Sequence, residues 1–130
     1  MAVTPILPVP ARDAALAYNP GMLVSDARRT LYISGQVATD AEGKVSPDFE
    51  AQARQVWRNI EAVLAGAHMT FRDIVKLTTF LLDSGDLEIN GRVRAEVLQG
   101  HKPASTLVYV SGLVRPEWRL EIEAVAVAAT

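Results

Sequence analysis

The sequence predicts a single α+β domain in which a mixed β-sheet carries two helices on one face. Three observations lead there. Apolar residues recur at helical spacing between Phe49 and Ala67; a long, mostly apolar run fills residues 72–82; and two further β-rich runs occupy residues 106–110 and 120–128. Two amphipathic helices need one apolar surface to cover, so both are expected on the same side of the sheet.

The elements follow in order. Pro5, Pro8 and Pro10 argue against a helix in the first ten residues and favour an extended arm, here residues 1–17, or an edge strand. Residues 22–24 and 30–34 are short apolar or β-branched runs flanking a polar stretch, which reads as a hairpin. Ser46-Pro47-Asp48 supplies a hydroxyl cap, a proline for the first helical position and an acid for the positive end of the helix dipole. From there Phe49, Ala53, Val56, Ile60, Val63, Leu64 and Ala67 share a face.

Residues 72–82 form a long strand, apolar enough to be covered on both faces and therefore central. Asp83-Ser84-Gly85-Asp86 opens a second helix with Ile89, Val93, Val97 and Leu98 on one face, and Gly100 ends it. The predicted order is β-β-α-β-α-β-β. The sheet face opposite the helices would be a bare apolar surface in a lone chain, and such a surface implies association.

Composition excludes several functions. The 130 residues are 49% hydrophobic and 22% charged, which describes one folded domain spanning residues 1–130. No apolar run reaches the roughly 20 residues of a membrane span. The absence of cysteine removes disulfide and thiol chemistry and fits a cytoplasmic address. A net charge of -2 with scattered Lys and Arg gives no basic stripe for nucleic acid. His68 and His101 have no acid at ligand spacing, so neither a metal nor a cofactor is expected.

From Leu31 to Ala128 the order of landmarks resembles the RidA/YjgF family: Ser34-Gly35-Gln36, Phe49 with Gln52 and Arg54-Gln55-Val56, Asp73-Ile74-Val75-Lys76 with Thr78, Asn90, Pro103-Ala104, and Glu121-Ile122-Glu123-Ala124. The resemblance implies a chorismate-mutase-like fold and a homotrimer with inward-facing sheets and a cleft between each pair of subunits. It also implies a small-molecule metabolite as ligand. Active members hydrolyse reactive enamines and imines to 2-keto acids and ammonia. By the same resemblance Glu121 supports the attacking water, while Gly35, Asn90 and Leu107 line the cleft. Glu121 and Glu123 alternate with Leu120, Ile122 and Ala124, so the two acids share a strand face.

The departures matter as much as the matches. Where the family has the arginine that holds the substrate carboxylate, the gapless alignment puts Ser105, and Val108 and Val110 keep the family's valine register. Loss of two charge-assisted hydrogen bonds weakens a carboxylate ligand by roughly 30-fold to 1000-fold. The family's Gly-Pro-Tyr is also missing: Asn19-Pro20-Gly21 has no ring there, and Tyr18 comes three residues early. Arg94, Arg115 and Arg119 are the candidate replacement cations. Against them stand a solvated helix position for Arg94 and an ion pair with Glu121 for Arg119. Trp118 is either a cleft wall or a packing residue, whereas Trp57 is expected in the core or at a subunit contact.

Three functions remain: an enamine or imine deaminase with altered substrate choice, a non-catalytic binding or sensing trimer of the same fold, and a ribonuclease or translation inhibitor. If the chain is an enzyme, it is a hydrolase.

Overall fold

A computed structural model describes all 130 residues. Four strands make the main sheet: β3 (Arg29–Gln36), β4 (Ile74–Leu81), β5 (Ala104–Tyr109) and β6 (Leu120–Ala128), in the spatial order β3-β6-β4-β5. β6 runs antiparallel to both neighbours, and β4 and β5 are parallel. A parallel pair needs a crossover. Helix α3 (Leu87–Leu98) provides it, while α2 (Phe49–Gly66) links β3 to β4. The strand expected at residues 72–82 forms as β4 over Ile74–Leu81, after the 3₁₀ turn at Phe71–Asp73, and is interior as expected, between β6 and β5.

The predicted 22–24/30–34 hairpin does not form. Strand β2 (Gly21–Ser25) pairs with β1 (Ala2–Ile6) in a separate two-stranded sheet, and β3 pairs with the C-terminal β6. Local turn chemistry suggested the nearer partner, but the apolar face of β3 is satisfied against Ala124 and Ala126 of β6. Residues 1–17 hold β1 and a one-turn helix α1 (Pro10–Asp13), with Pro10 at its start where a missing N–H costs nothing.

The cap of α2 also differs from expectation. Asp48, not Ser46, is the N-cap, and its carboxylate accepts from Ala51 N at 2.9 Å. Ser46 instead accepts from Asp48 N through its hydroxyl. The buried stripe of α2 is Phe49, Gln52, Ala53, Val56, Trp57, Ile60 and Leu64. It packs with Ile74, Leu77, Leu81, Leu120 and Ile122 of the sheet to form the core. Each such large side chain contributes roughly 1.5–3 kcal/mol on burial. Trp57 lies in this core edge-on to Phe71, with ring centres 5.8 Å apart.

The face away from the helices is uncovered but not uniformly apolar. Tyr32, Phe80, Val108 and Val125 share it with Lys76, Thr78, Thr106, Glu121 and Glu123. Alternation explains the mixture: residues opposite Leu77, Leu120 and Ile122 in the pleat point outward whatever their polarity. Tyr32 stands 78% exposed on it. Two 3₁₀ turns, Phe71–Asp73 and Ser84–Asp86, lead into β4 and α3.

Candidate functional site

Two groups of expected site residues come together, in two different places. The first lies between α3 and β5. In the parallel register Ser105 stands beside Leu77, and Leu107 beside Thr79, so both face the helix layer. Arg94 Nη1 donates to Ser105 Oγ at 3.1 Å, and its Nη2 donates to Ala17 O at 3.4 Å. Asn90 is one helical turn earlier on the same face. Asn90, Arg94 and Leu107 border one cavity of about 270 Å³, and Leu87, Leu98 and Lys102 complete much of its wall.

The electrostatics of this cavity are unusual for a helix surface. No carboxylate pairs with Arg94, although Arg92, two positions before it in the helix, is bound to Glu50 at 2.7 Å. Burial pushes the Arg94 guanidinium below its ordinary pKa, yet a guanidinium remains charged. Asn90 is 3% exposed, and its Oδ1 has no hydrogen-bond partner. A solvated Arg94 is therefore not what the fold builds.

The rim comes from the chain before β2. Asn19 Nδ2 donates to Lys102 O at 2.6 Å, and Lys102 Nζ donates to Ala14 O at 3.2 Å. Sequence reasoning did not assign Lys102, Ala14 or Ala17 to the site, and weighed Tyr18 and Asn19-Pro20-Gly21 only for a missing ring. The available signal was the position of Lys102 directly before the Pro103-Ala104 landmark. Tyr18 is not among the cavity residues. His101 Nε2 is 2.7 Å from Ile74 O.

The second group lies on the uncovered sheet face. Ile33 pairs with Ala124 and Gln36 with Ile122, so Ser34 and Gly35 together oppose the single residue Glu123: a β-bulge in β3. The Glu121 side chain lies over Gly35. A Cβ at Gly35 would fall 2.6 Å from Glu121 Oε2 and 2.9 Å from its Cγ. The carboxylate has neither an ion pair nor a hydrogen bond within the chain.

The remaining candidates sit apart. Arg119 does not pair with Glu121: its Nη2 reaches both carboxylate oxygens of Asp86, at 2.7 and 2.9 Å, and its guanidinium lies over the Phe49 ring. The reason is position, because Arg119 precedes β6 and does not share the strand alternation of Glu121. Arg115 is 3.8 Å from Glu117 on the surface. Trp118 donates its indole N–H to Thr39 Oγ1 at 3.1 Å and stacks with Arg115, away from the α3–β5 cavity. No three His, Asp or Glu residues gather as metal ligands, and no helix is long and apolar enough to cross a membrane.

The family model for Endoribonuclease L-PSP matches residues 10–128. The chain belongs to that family. It is the RidA/YjgF family that the sequence landmarks resemble. Among relatives, rat 2-iminobutanoate/2-iminopropanoate deaminase is 34% identical over 113 residues, covering 85% of this chain and 80% of its own. Among solved structures, the conserved Rid-family protein YyfB of Yersinia pestis superposes with a TM-score of 0.82 at 31% identity, covering 98% of this chain and all of its own. Escherichia coli TdcF with bound serine matches with a TM-score of 0.73 at 27% identity, over 87% of this chain and 95% of its own. These likenesses agree with the mixed α+β fold of this chain and support a RidA-like function at the family level.

Proposed function

We propose that the chain is a hydrolytic deaminase of reactive enamine and imine metabolites, with a substrate choice altered by Ser105. The observation that carries the reading is the unpaired Glu121 carboxylate held over Gly35, in a chain whose relatives include a 2-imino acid deaminase. An imine is already activated, so catalysis asks for a positioned water, a proton acceptor and a fixed substrate. Water adds its oxygen to the imine carbon as Glu121 takes one of its protons and returns it to the imine nitrogen, giving a carbinolamine. The carbinolamine hydroxyl proton then passes through Glu121 to the amine as the C–N bond breaks, and a 2-keto acid and ammonia leave.

Geometry within one chain bears on assembly. Glu121 lies on the uncovered face of β6, whereas Ser105 lies on the helix face of β5, with β4 between them. At about 4.8 Å per strand step the two backbones are roughly 10 Å apart on opposite sides of a sheet. One substrate cannot touch both in a lone chain. A homotrimer joins them in this reading: the cleft between subunits pairs the Asn90, Arg94, Ser105 and Leu107 half of one chain with the Gly35 and Glu121 half of the next. The ligand is a small metabolite, with no nucleic acid, membrane or cofactor required.

The test follows 2-iminopropanoate, generated in situ by a serine dehydratase, through the rate of pyruvate release. Wild type should accelerate release, and Glu121→Gln should lower turnover roughly 100-fold by removing basicity while keeping size. The change at position 105 favours a second reading, a binding or sensing protein. Such a protein would leave the release rate at background while still binding the acid by calorimetry, and that result would displace the deaminase.

A further inference from the structure

A cation can reach the same point in space from different elements, and here α3 delivers one to the position that a longer side chain at residue 105 would occupy. Arg94 spans from the helix to the Ser105 hydroxyl at 3.1 Å. Its one other partner is the Ala17 carbonyl at 3.4 Å, and no carboxylate pairs with it. A partly desolvated charge without a counter-ion is costly, and an arriving anion relieves that cost. Lys102 is a poorer candidate because its Nζ is turned to the Ala14 carbonyl.

The neighbours describe the rest of the ligand. Asn90 borders the same cavity with a buried, unpartnered Oδ1, an acceptor that complements an N–H group. Leu87, Leu98 and Leu107 supply apolar wall, and Lys102, also in the wall, has its ammonium on the Ala14 carbonyl. Leu87 is 44% exposed in the lone chain, as an apolar side chain at the mouth of a site would be.

We propose that Arg94 is the carboxylate anchor of this protein, held in place by Ser105, and that the site takes a 2-imino acid with an apolar side chain larger than methyl. The imino group rests on the deaminase reading; the anchor and the apolar preference do not. Ser105 is a positioning residue: its hydroxyl accepts from the guanidinium and leaves the other N–H groups for a carboxylate. A second arginine at 105 would collide with the first, so Ser105→Arg gains nothing unless Arg94 is removed.

Binding separates the anchor from turnover. The probes are 4-methyl-2-oxopentanoate, pyruvate and the uncharged 4-methyl-2-oxopentanamide, titrated calorimetrically into the intact assembly. Wild type should bind the branched acid about tenfold or more tightly than pyruvate. Arg94→Met should weaken the branched acid roughly 30-fold to 1000-fold and leave the amide within about twofold. Arg94→Met combined with Ser105→Arg should recover most of the lost affinity.

Unchanged acid affinity in Arg94→Met at an unchanged melting temperature would overturn the anchor. So would equal loss of acid and amide, which would mark a packing role, or a double variant that binds the amide but not the acid. Pyruvate binding as tightly as the branched acid would overturn the apolar preference. The predicted binding pattern without any turnover would sink the deaminase and leave the anchor standing.

Discussion

Glu121 lies so close over Gly35 that a side chain there must displace it: a single added methyl would meet the carboxylate at 2.6 Å. The bulge that offsets Ser34 and Gly35 against Glu123 brings the backbone to this approach, and glycine leaves the side chain undisturbed.

Gly35→Ala should therefore act on the acid rather than on the fold. Contacts below 3.0 Å force the flexible Glu121 side chain aside, so turnover should fall by at least about tenfold with little change in melting temperature. Steady-state kinetics with a thermal melt checks this. Normal turnover would show that the position of Glu121 over the bulge is not needed.

Mixed assemblies test whether the two halves meet across subunits. Glu121→Gln and Arg94→Met chains, each nearly inactive alone, should regain activity when refolded together. In a cyclic trimer with random mixing, about one quarter of the sites pair an intact acid with an intact arginine. Turnover that stays at the sum of the parents would place both residues' work within one chain.

Assembly has its own probe in Tyr32, which stands 78% exposed on the uncovered sheet face. Sedimentation equilibrium should give a mass near three times the 14.1 kDa of the chain, and Tyr32→Arg should shift it toward the single-chain value. A wild-type mass of one chain would remove every cleft between subunits.

Acid should loosen the helix layer through Glu50. Arg92 on α3 and Arg54 on α2 both hydrogen-bond this carboxylate, and Arg54 also reaches Glu96. Arg92 first, and then Arg54, holds the Glu50 carboxyl below its ordinary pKa. Because the folded value is the lower one, the stabilisation is present above the unfolded pKa and is lost as pH falls through the folded one. Glu50→Gln should lower the melting temperature at neutral pH, and the gap to wild type should close in acid. A gap independent of pH would deny the ion pairs a role.

Much of this was legible in the chain. The period of α2, the interior position of residues 72–82 and the shared face of Glu121 and Glu123 are all local patterns, and periodicity reports local patterns well. What failed was non-local. The partner of β2 was misjudged because residues 22–24 and 30–34 satisfy hairpin chemistry equally well, while the choice rests on burial of β3 against β6. Arg119 was given to Glu121 by spacing, but Asp86, 33 residues away, is nearer in space. The uncovered face was expected to be apolar, yet the outward half of each strand carries Lys76, Thr106 and Glu121 as well as Tyr32. At the site, Ser105 and Asn90 could be placed by resemblance. That Arg94 reaches Ser105 could not be, since it depends on how α3 lies across β5.

The contact between Arg94 and Ser105 also changes what a sequence comparison should look for. Two guanidiniums cannot share the space now filled by one guanidinium and one hydroxyl, so a long cation at either position excludes it at the other. In a collection of related chains the pair should trade places, with arginine at 105 beside a short or uncharged residue at 94, and the reverse. A chain lacking the strand arginine is then not a degenerate copy. Its charge arrives from the other wall.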